Sequence, residues 1–287
     1  MMKKSDCREF LLPYNALKNK NLGISVSDSP DLDRLGLSDI HFRLTLGELT
    51  RIVVIAEGSL YYGGHLDPEG ITSFLIDELH RYSRRDQPLK VCLAWNIHCS
   101  MSVEEIDEQK EFLGMFGEIY FLSRNGKCLD NLPAKPLQRI LTREECVTSL
   151  SGLRTFMVNK TDARIVLGGK REGFQGSMPG IFEEVLLSLK RRQPLYLAGG
   201  FGGATLDIIR TLRPEHAEWF PVSHEQTPSD EHALKALDMI HEIATVKKWD
   251  GYENGLSDEE NCLLAASYRP SEIAALVGRG LGQLRQR

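Results

Sequence analysis

The stretch GGKREGFQGSMPGIFEE, residues 168–184, carries the residue types best suited to chemistry on a small ligand. Gly168 and Gly169 let backbone amides approach a ligand with no side chain in the way. Lys170 and Arg171 suit phosphate, and a loop this rich in glycine reads as a lid or a specificity loop at a site's edge. Pro179 and Gly180 place a helix start just ahead of Glu183 and Glu184. A helix N-terminus offers free N–H groups and partial positive charge, ready to hold an anion. Carboxylates there also serve as ordinary helix-start residues. The two glutamates therefore act on a ligand, grip it, or only open a helix.

Other loops could join them. SVSDSP, residues 25–30, offers Ser27, Asp28 and Ser29 as hydroxyls, amides and a carboxylate, or else a simple turn and cap. LYYGGHLDPEG, residues 60–70, brings Gly63 and Gly64 for close backbone approach, with His65, Asp67 and Glu69 nearby. His65 by itself reads as a loop histidine. Arg154 lies on a helical pattern leading straight into a strand, where it points to the strand edge or pairs with a helix neighbour. GGFGG, residues 199–203, adds Gly200, but its GxGxxT falls short of the GxGxxG dinucleotide fingerprint. Gly169-Lys170 has neither the spacing nor the following Ser/Thr of a Walker A loop.

The elements that must position these loops alternate along the chain. Strands are expected at 22–27, 51–58, 89–95, 118–123, 163–169 and 194–200. Helical patterns fall near 38–50, 71–83, 103–116, 142–160, 180–191 and 203–212. Near-continuous apolar strands between helices imply a parallel sheet covered on both faces, a doubly wound α/β domain of Rossmann-like type. Such sheets bind ligands outside the carboxyl ends of their strands. Residues 1–20 read as a polar arm, 21–212 as the Rossmann-like α/β domain, and 213–287 as a helical extension. Within that extension, 229–245 and 257–279 carry helical periodicity, packed on the sheet domain or forming an oligomer contact.

Composition bounds the partners. The chain has 287 residues, 41% apolar and 26% charged, with a net charge of −5. That balance does not favour a polyanion, so nucleic acid is not an expected partner. Arg84-Arg85 and Lys190-Arg191-Arg192 each close a helical pattern, where cations complement the helix dipole. Six cysteines form no CxxC pair, and Cys92 sits inside an apolar strand pattern, as a buried thiol in a reducing compartment would. Eight histidines show no HExxH or zinc-ligand spacing. No apolar run approaches membrane-spanning length and no signal core opens the chain, so a cytoplasmic location is expected.

Taken in order, the loops resemble the SLOG superfamily, named for its DNA-processing and LOG branches. The family's CGSS-like turn corresponds to SVSDSP, its YGGG to YGGH at 62–65, and its Arg-bearing helix before Asp-Ala to LRTFMVNKTDARIVL. Its PGGxGTxxE corresponds to Gly168-Gly169 and PGIFEE, split by a nine-residue insertion, 170–178. The resemblance spans about residues 22–210. Arg154 stands at the family's Lys position, Leu153 at its Arg, and Ile181 at its Thr, while Glu184 aligns with the catalytic glutamate.

LOG enzymes are cytokinin-activating phosphoribohydrolases. Other SLOG modules, in TRPM channels and in an antiphage NAD-consuming effector, are sensors of ADP-ribose-type nucleotides. The resemblance thus implies a small nucleotide ligand and two alternatives. In the first, an N-glycosidase cleaves NAD or a nucleoside monophosphate. Glu184 stabilises the ribose cation or attacks it, with Arg154 and Glu183 beside it, and no metal or redox cofactor is called for. In the second, the same residues only grip the ligand, and the C-terminal extension transmits occupancy through homo-oligomerisation, with antiphage defence as one setting.

Overall fold

Apolar strands that must be buried on both faces need helices above and below them, and the computed structural model shows that arrangement. It describes residues 13–67, 69–82, 86–130, 132, 136–220, 228–249 and 252–284. The first twelve residues of the expected arm, Cys7 among them, and the Arg84-Arg85 pair lie outside the described residues.

Six strands form one parallel sheet: β1 (Asn21–Ser27), β2 (Ser59–Gly63), β3 (Leu89–Leu93), β4 (Gly117–Phe121), β5 (Ala163–Gly168) and β6 (Leu195–Ala198). Their spatial order is β4-β3-β2-β1-β5-β6, with every pairing parallel. The helices are α1 (Asp39–Ile55), α2 (Ile71–Leu79), α3 (Trp95–His98), α4 (Val103–Leu113), α5 (Arg143–Lys160), α6 (Gly180–Arg191), α7 (Gly203–Leu212), α8 (Glu231–Val246), α9 (Asp258–Ala266) and α10 (Pro270–Gln283). The expected doubly wound Rossmann-like fold with C-terminal helices is the fold observed.

Alternating side chains of the central strands feed two cores. Ile24, Ile165 and Leu167 pack with Leu46 and Val53 of α1 and with Ile273 and Val277 of α10. Val166, Leu195 and Leu197 face Phe182 and Val185 of α6, with α7 and α8 extending that layer. Each such fully buried side chain contributes roughly 1.5–3 kcal/mol. The C-terminal helices thus complete the cover of the sheet domain, and α10 lies along α1.

The structure corrects several boundaries. RIVVIAEG is not a strand: its first five residues are the last turns of α1, and the strand is the SLYYG that follows. Val53 and Val54 are β-branched, which suggested a strand. They continue the helical spacing of buried Leu46, Leu49 and Thr50, and that wider pattern decides. The pattern at 257–279 is two helices, because Pro270 lacks the N–H a continuous helix would need and starts α10 instead. The third strand stops at Leu93, with α3 starting at Trp95, and the sixth stops at Ala198, before a helical turn at Gly199–Phe201.

Candidate functional site

From β1 the strand order runs to β2 on one side and to β5 on the other. Ser27 at the end of β1 lies in register with Gly168 at the end of β5. Chain connections diverge at that pair, and a crevice opens outside the carboxyl ends of the strands. A cleft of about 700 Å³ occupies it. Its floor is Ser25, Ser27 and Asp28 of β1 and the residues after it. Tyr62, Gly63, Gly64 and His65 form one wall, with Leu150, Leu153 and Arg154 of α5 behind. Lys170, Phe174 and Gln175 of the insertion, and Gly180, Ile181 and Glu184 of α6, form the other.

Local sequence sets the two helices that carry the charged groups. Thr142 caps α5 in a reciprocal pair with Glu145, which fixes where that helix starts. Leu153 and Met157 then bury themselves against the sheet, and Arg154 beside them reaches toward α6. Pro179 precedes α6, and Gly180 and Ile181 at its start line the cleft, bringing the positive end of the helix to the site.

Four charged side chains meet there. Arg154 Nη1 donates to Glu183 Oε2, and its Nε lies 3.8 Å from Glu184 Oε1. Glu184 Oε2 accepts from Arg164 Nη1 at 2.8 Å and from the Ser25 hydroxyl. Ser25 Oγ in turn accepts from the same Arg164 nitrogen at 2.6 Å. Glu184 is 17% exposed, enough for a ligand to reach it, whereas Arg164 is wholly buried. Burial pulls the Arg164 guanidinium pKa below its ordinary value, and the charge of Glu184 opposes that pull. Burial pushes the Tyr62 phenol up, with the Glu184 charge adding to the effect, so Tyr62 stays a proton donor on the cleft wall.

The sequence-derived candidates divide. Ser27, Asp28, Gly63, Gly64, His65, Lys170, Arg154, Gly180 and Glu184 all line the cleft. Lys170 pairs with Asp28 at 3.2 Å across the floor. Glu183 lies behind Arg154 and is buried. Ser29 is buried too, and its hydroxyl accepts from the Asp31 backbone N–H.

Gly168 and Gly169 turn beneath the cleft with positive φ. A Cβ on Gly168 would meet Phe42 at 2.6 Å and the Ser27 carbonyl at 2.7 Å. Arg171 is buried in a network with Asp207, at 2.7 Å, and with Asp31, at 3.0 Å. Gly200 packs against the Ser267 carbonyl, away from the cleft. Ser25 and Arg164 were not among the candidates. The only signal for Arg164 is a lone arginine inside the apolar strand ARIVLG.

A family model described as SLOG cluster2 matches residues 16–264. The chain belongs to the SLOG superfamily. Membership makes it a Rossmann-like domain for nucleotide-related small ligands, and the match runs beyond the motif-bearing segment into α9. No curated protein matches the chain. Among the described residues, no helix is long and apolar enough to cross a membrane, and no group of three or more His, Cys, Asp or Glu side chains could hold a metal ion.

Proposed function

We propose that this SLOG domain binds a nucleotide of the NAD, ADP-ribose or nucleoside monophosphate type and hydrolyses its N-glycosidic bond. The observation that carries the reading is Glu184 at the cleft, one oxygen held by Arg164 and Ser25 and the other beside Arg154. Breaking a C1′–N bond develops positive charge on the ribose. A carboxylate fixed beneath C1′ stabilises that charge more in the transition state than in the bound ground state. Lys170 and the N-terminus of α6 supply positive charge for a phosphate, and Gly63 and Gly64 allow close backbone approach on the opposite wall.

One observation favours a second reading, a sensor without chemistry. The insertion that lines the cleft also touches the C-terminal part of the chain: the Phe174 ring meets His232 of α8 edge-on, with centroids 6.2 Å apart. Ser229 Oγ donates to Glu172 at 2.7 Å. Ligand contact with Phe174 would thus be felt at α8, from which occupancy could pass to a partner or to a second copy of the chain.

Incubation with NAD, ADP-ribose and nucleoside monophosphates, with products followed by chromatography and binding by thermal shift, separates the two. Release of nicotinamide or free base that disappears in Glu184→Gln supports the glycosidase. Stabilisation by ADP-ribose without product supports the sensor. No product and no shift with any of these ligands would sink both.

A further inference from the structure

Arg164 is the only charged residue of β5, and no part of its side chain reaches solvent. Its Nη1 serves Ser25 and Glu184, while Nε and Nη2 have no hydrogen-bond partner among the described residues. A buried guanidinium with two unpaired nitrogens costs stability that an apolar side chain of like length would not. Packing therefore does not account for an arginine at this position, and among the described residues its side-chain hydrogen bonds run to Ser25 and Glu184 at the cleft.

The charge arrangement shows what those contacts do. Arg154, the other cation near Glu184, has its Nη1 committed to Glu183 and stands 3.8 Å away through Nε. Without Arg164, the nearest cation would draw the Glu184 carboxylate across to α5. With it, Oε2 is tied down from below by two donors that are themselves hydrogen-bonded to each other.

The geometry points to Arg164 as a positioning residue that, with Ser25, anchors Oε2 of Glu184 so that Oε1 is the oxygen presented to the ligand. This rests on the reading of Glu184 as the group that meets the ligand's ribose. A glutamate side chain left free must be ordered when ligand binds, at an entropic cost. Anchored beforehand, it meets the developing charge already in place.

The test uses the full chain and the variants Arg164→Met, Arg164→Lys, Ser25→Ala and Glu184→Gln. Crystal structures without ligand read the anchoring directly. In Arg164→Met the Glu184 carboxylate leaves its place over β1, swinging toward Arg154 or spreading over several rotamers, and in Arg164→Lys it stays. With ADP-ribose binding and NAD turnover as probes, Arg164→Met loses about tenfold or more of whatever signal the wild type gives, and Arg164→Lys recovers part of it. Introduced into Glu184→Gln, Arg164→Met causes no further loss, because the two residues act as one unit.

Should Arg164→Met fail to fold, the Ser25→Ala structure decides, with the carboxylate expected to shift there too. If the wild type takes neither probe, the nucleotide reading fails while the crystal structures still judge the anchor. A Glu184 carboxylate unmoved in Arg164→Met, or in Ser25→Ala where that must stand in, overturns the inference.

Discussion

The guanidinium of Arg154 lies so close over Gly180 that a Cβ at that position would come within 2.8 Å of Nη2. Gly180 opens α6, where alanine is intrinsically the better helix former. The atom in the way is the far end of a flexible side chain, so the fold can accept the methyl group while Arg154 cannot keep its place. Gly180→Ala is therefore expected to fold but to melt at a lower temperature, because Arg154 is drawn away from buried Glu183. It should also weaken ADP-ribose binding by about 1 kcal/mol, roughly fivefold. Calorimetry beside a thermal melt checks both halves, and unchanged affinity would show that Arg154 is not a ligand group.

Lys170 and Arg171 are neighbours in sequence with opposite environments. Arg171 is buried between Asp31 and Asp207, and burial raises the Asp207 pKa against the pull of Arg171. Arg171→Ala leaves two carboxylates buried without that cation, which should cost about 3–5 kcal/mol in urea denaturation. Lys170 is more than half exposed and pairs with exposed Asp28, so Lys170→Ala should change stability by no more than about 0.5 kcal/mol. Its effect belongs in binding, as a lower affinity for phosphate-bearing ligands. An Arg171→Ala protein that stays stable yet loses binding would reverse these roles.

That contrast marks the limit of reading a site from sequence. The glycine turns, the helix start before Glu184 and Arg154 on α5 were legible because each is a local pattern on one element. Which of two adjacent cations turns inward is not local. Arg171 faces carboxylates from the loop after β1 and from α7, and no spacing in the chain announces that meeting. Arg164 and Ser25 stand 139 residues apart and meet only because β1 and β5 are neighbours in the sheet. The strand misplaced onto α1 failed for a different reason. A short β-branched run outweighed a helical stripe that begins upstream at Leu46, Leu49 and Thr50, and read over the longer window that stripe decides for the helix.

Gly63 and Gly64 are both held by close approach. A Cβ on Gly63 would meet Met157 Sδ at 2.6 Å and Leu153 at 3.2 Å, inside the layer between β2 and α5. Gly63→Ala should thus destabilise by roughly 1–3 kcal/mol, as overpacking does. A Cβ on Gly64 would instead meet the Tyr62 ring at 2.2 Å, and that ring lines the cleft. Gly64→Ala should force the ring to turn, at smaller cost to stability and larger cost to ligand binding. Equal stability losses in the two variants, measured by urea denaturation, would refute this division.

Alkaline pH tests the buried phenols. Tyr196 and Tyr252 are enclosed, and burial is the first cause raising the pKa of each above its ordinary value. A group whose folded pKa is raised contributes stability that is complete below its unfolded pKa, about 10 for tyrosine, and lost as pH rises toward the folded value. In that window the unfolded chain releases protons that the folded one retains, at a slope of about 1.4 kcal/mol per pH unit for each phenol. The buried Cys92 thiol, also raised by desolvation, enters earlier, from about pH 8.5. Urea midpoints should decline gently above pH 8.5 and steeply above about 10, with phenolate absorbance from these residues appearing together with unfolding. A midpoint level through pH 11, or phenolate absorbance from these residues in the folded protein, would mean that Tyr196 and Tyr252 are not sealed in the core. Tyr62 follows the same sign on the cleft wall, so its hydroxyl keeps its proton across the range in which the fold is stable.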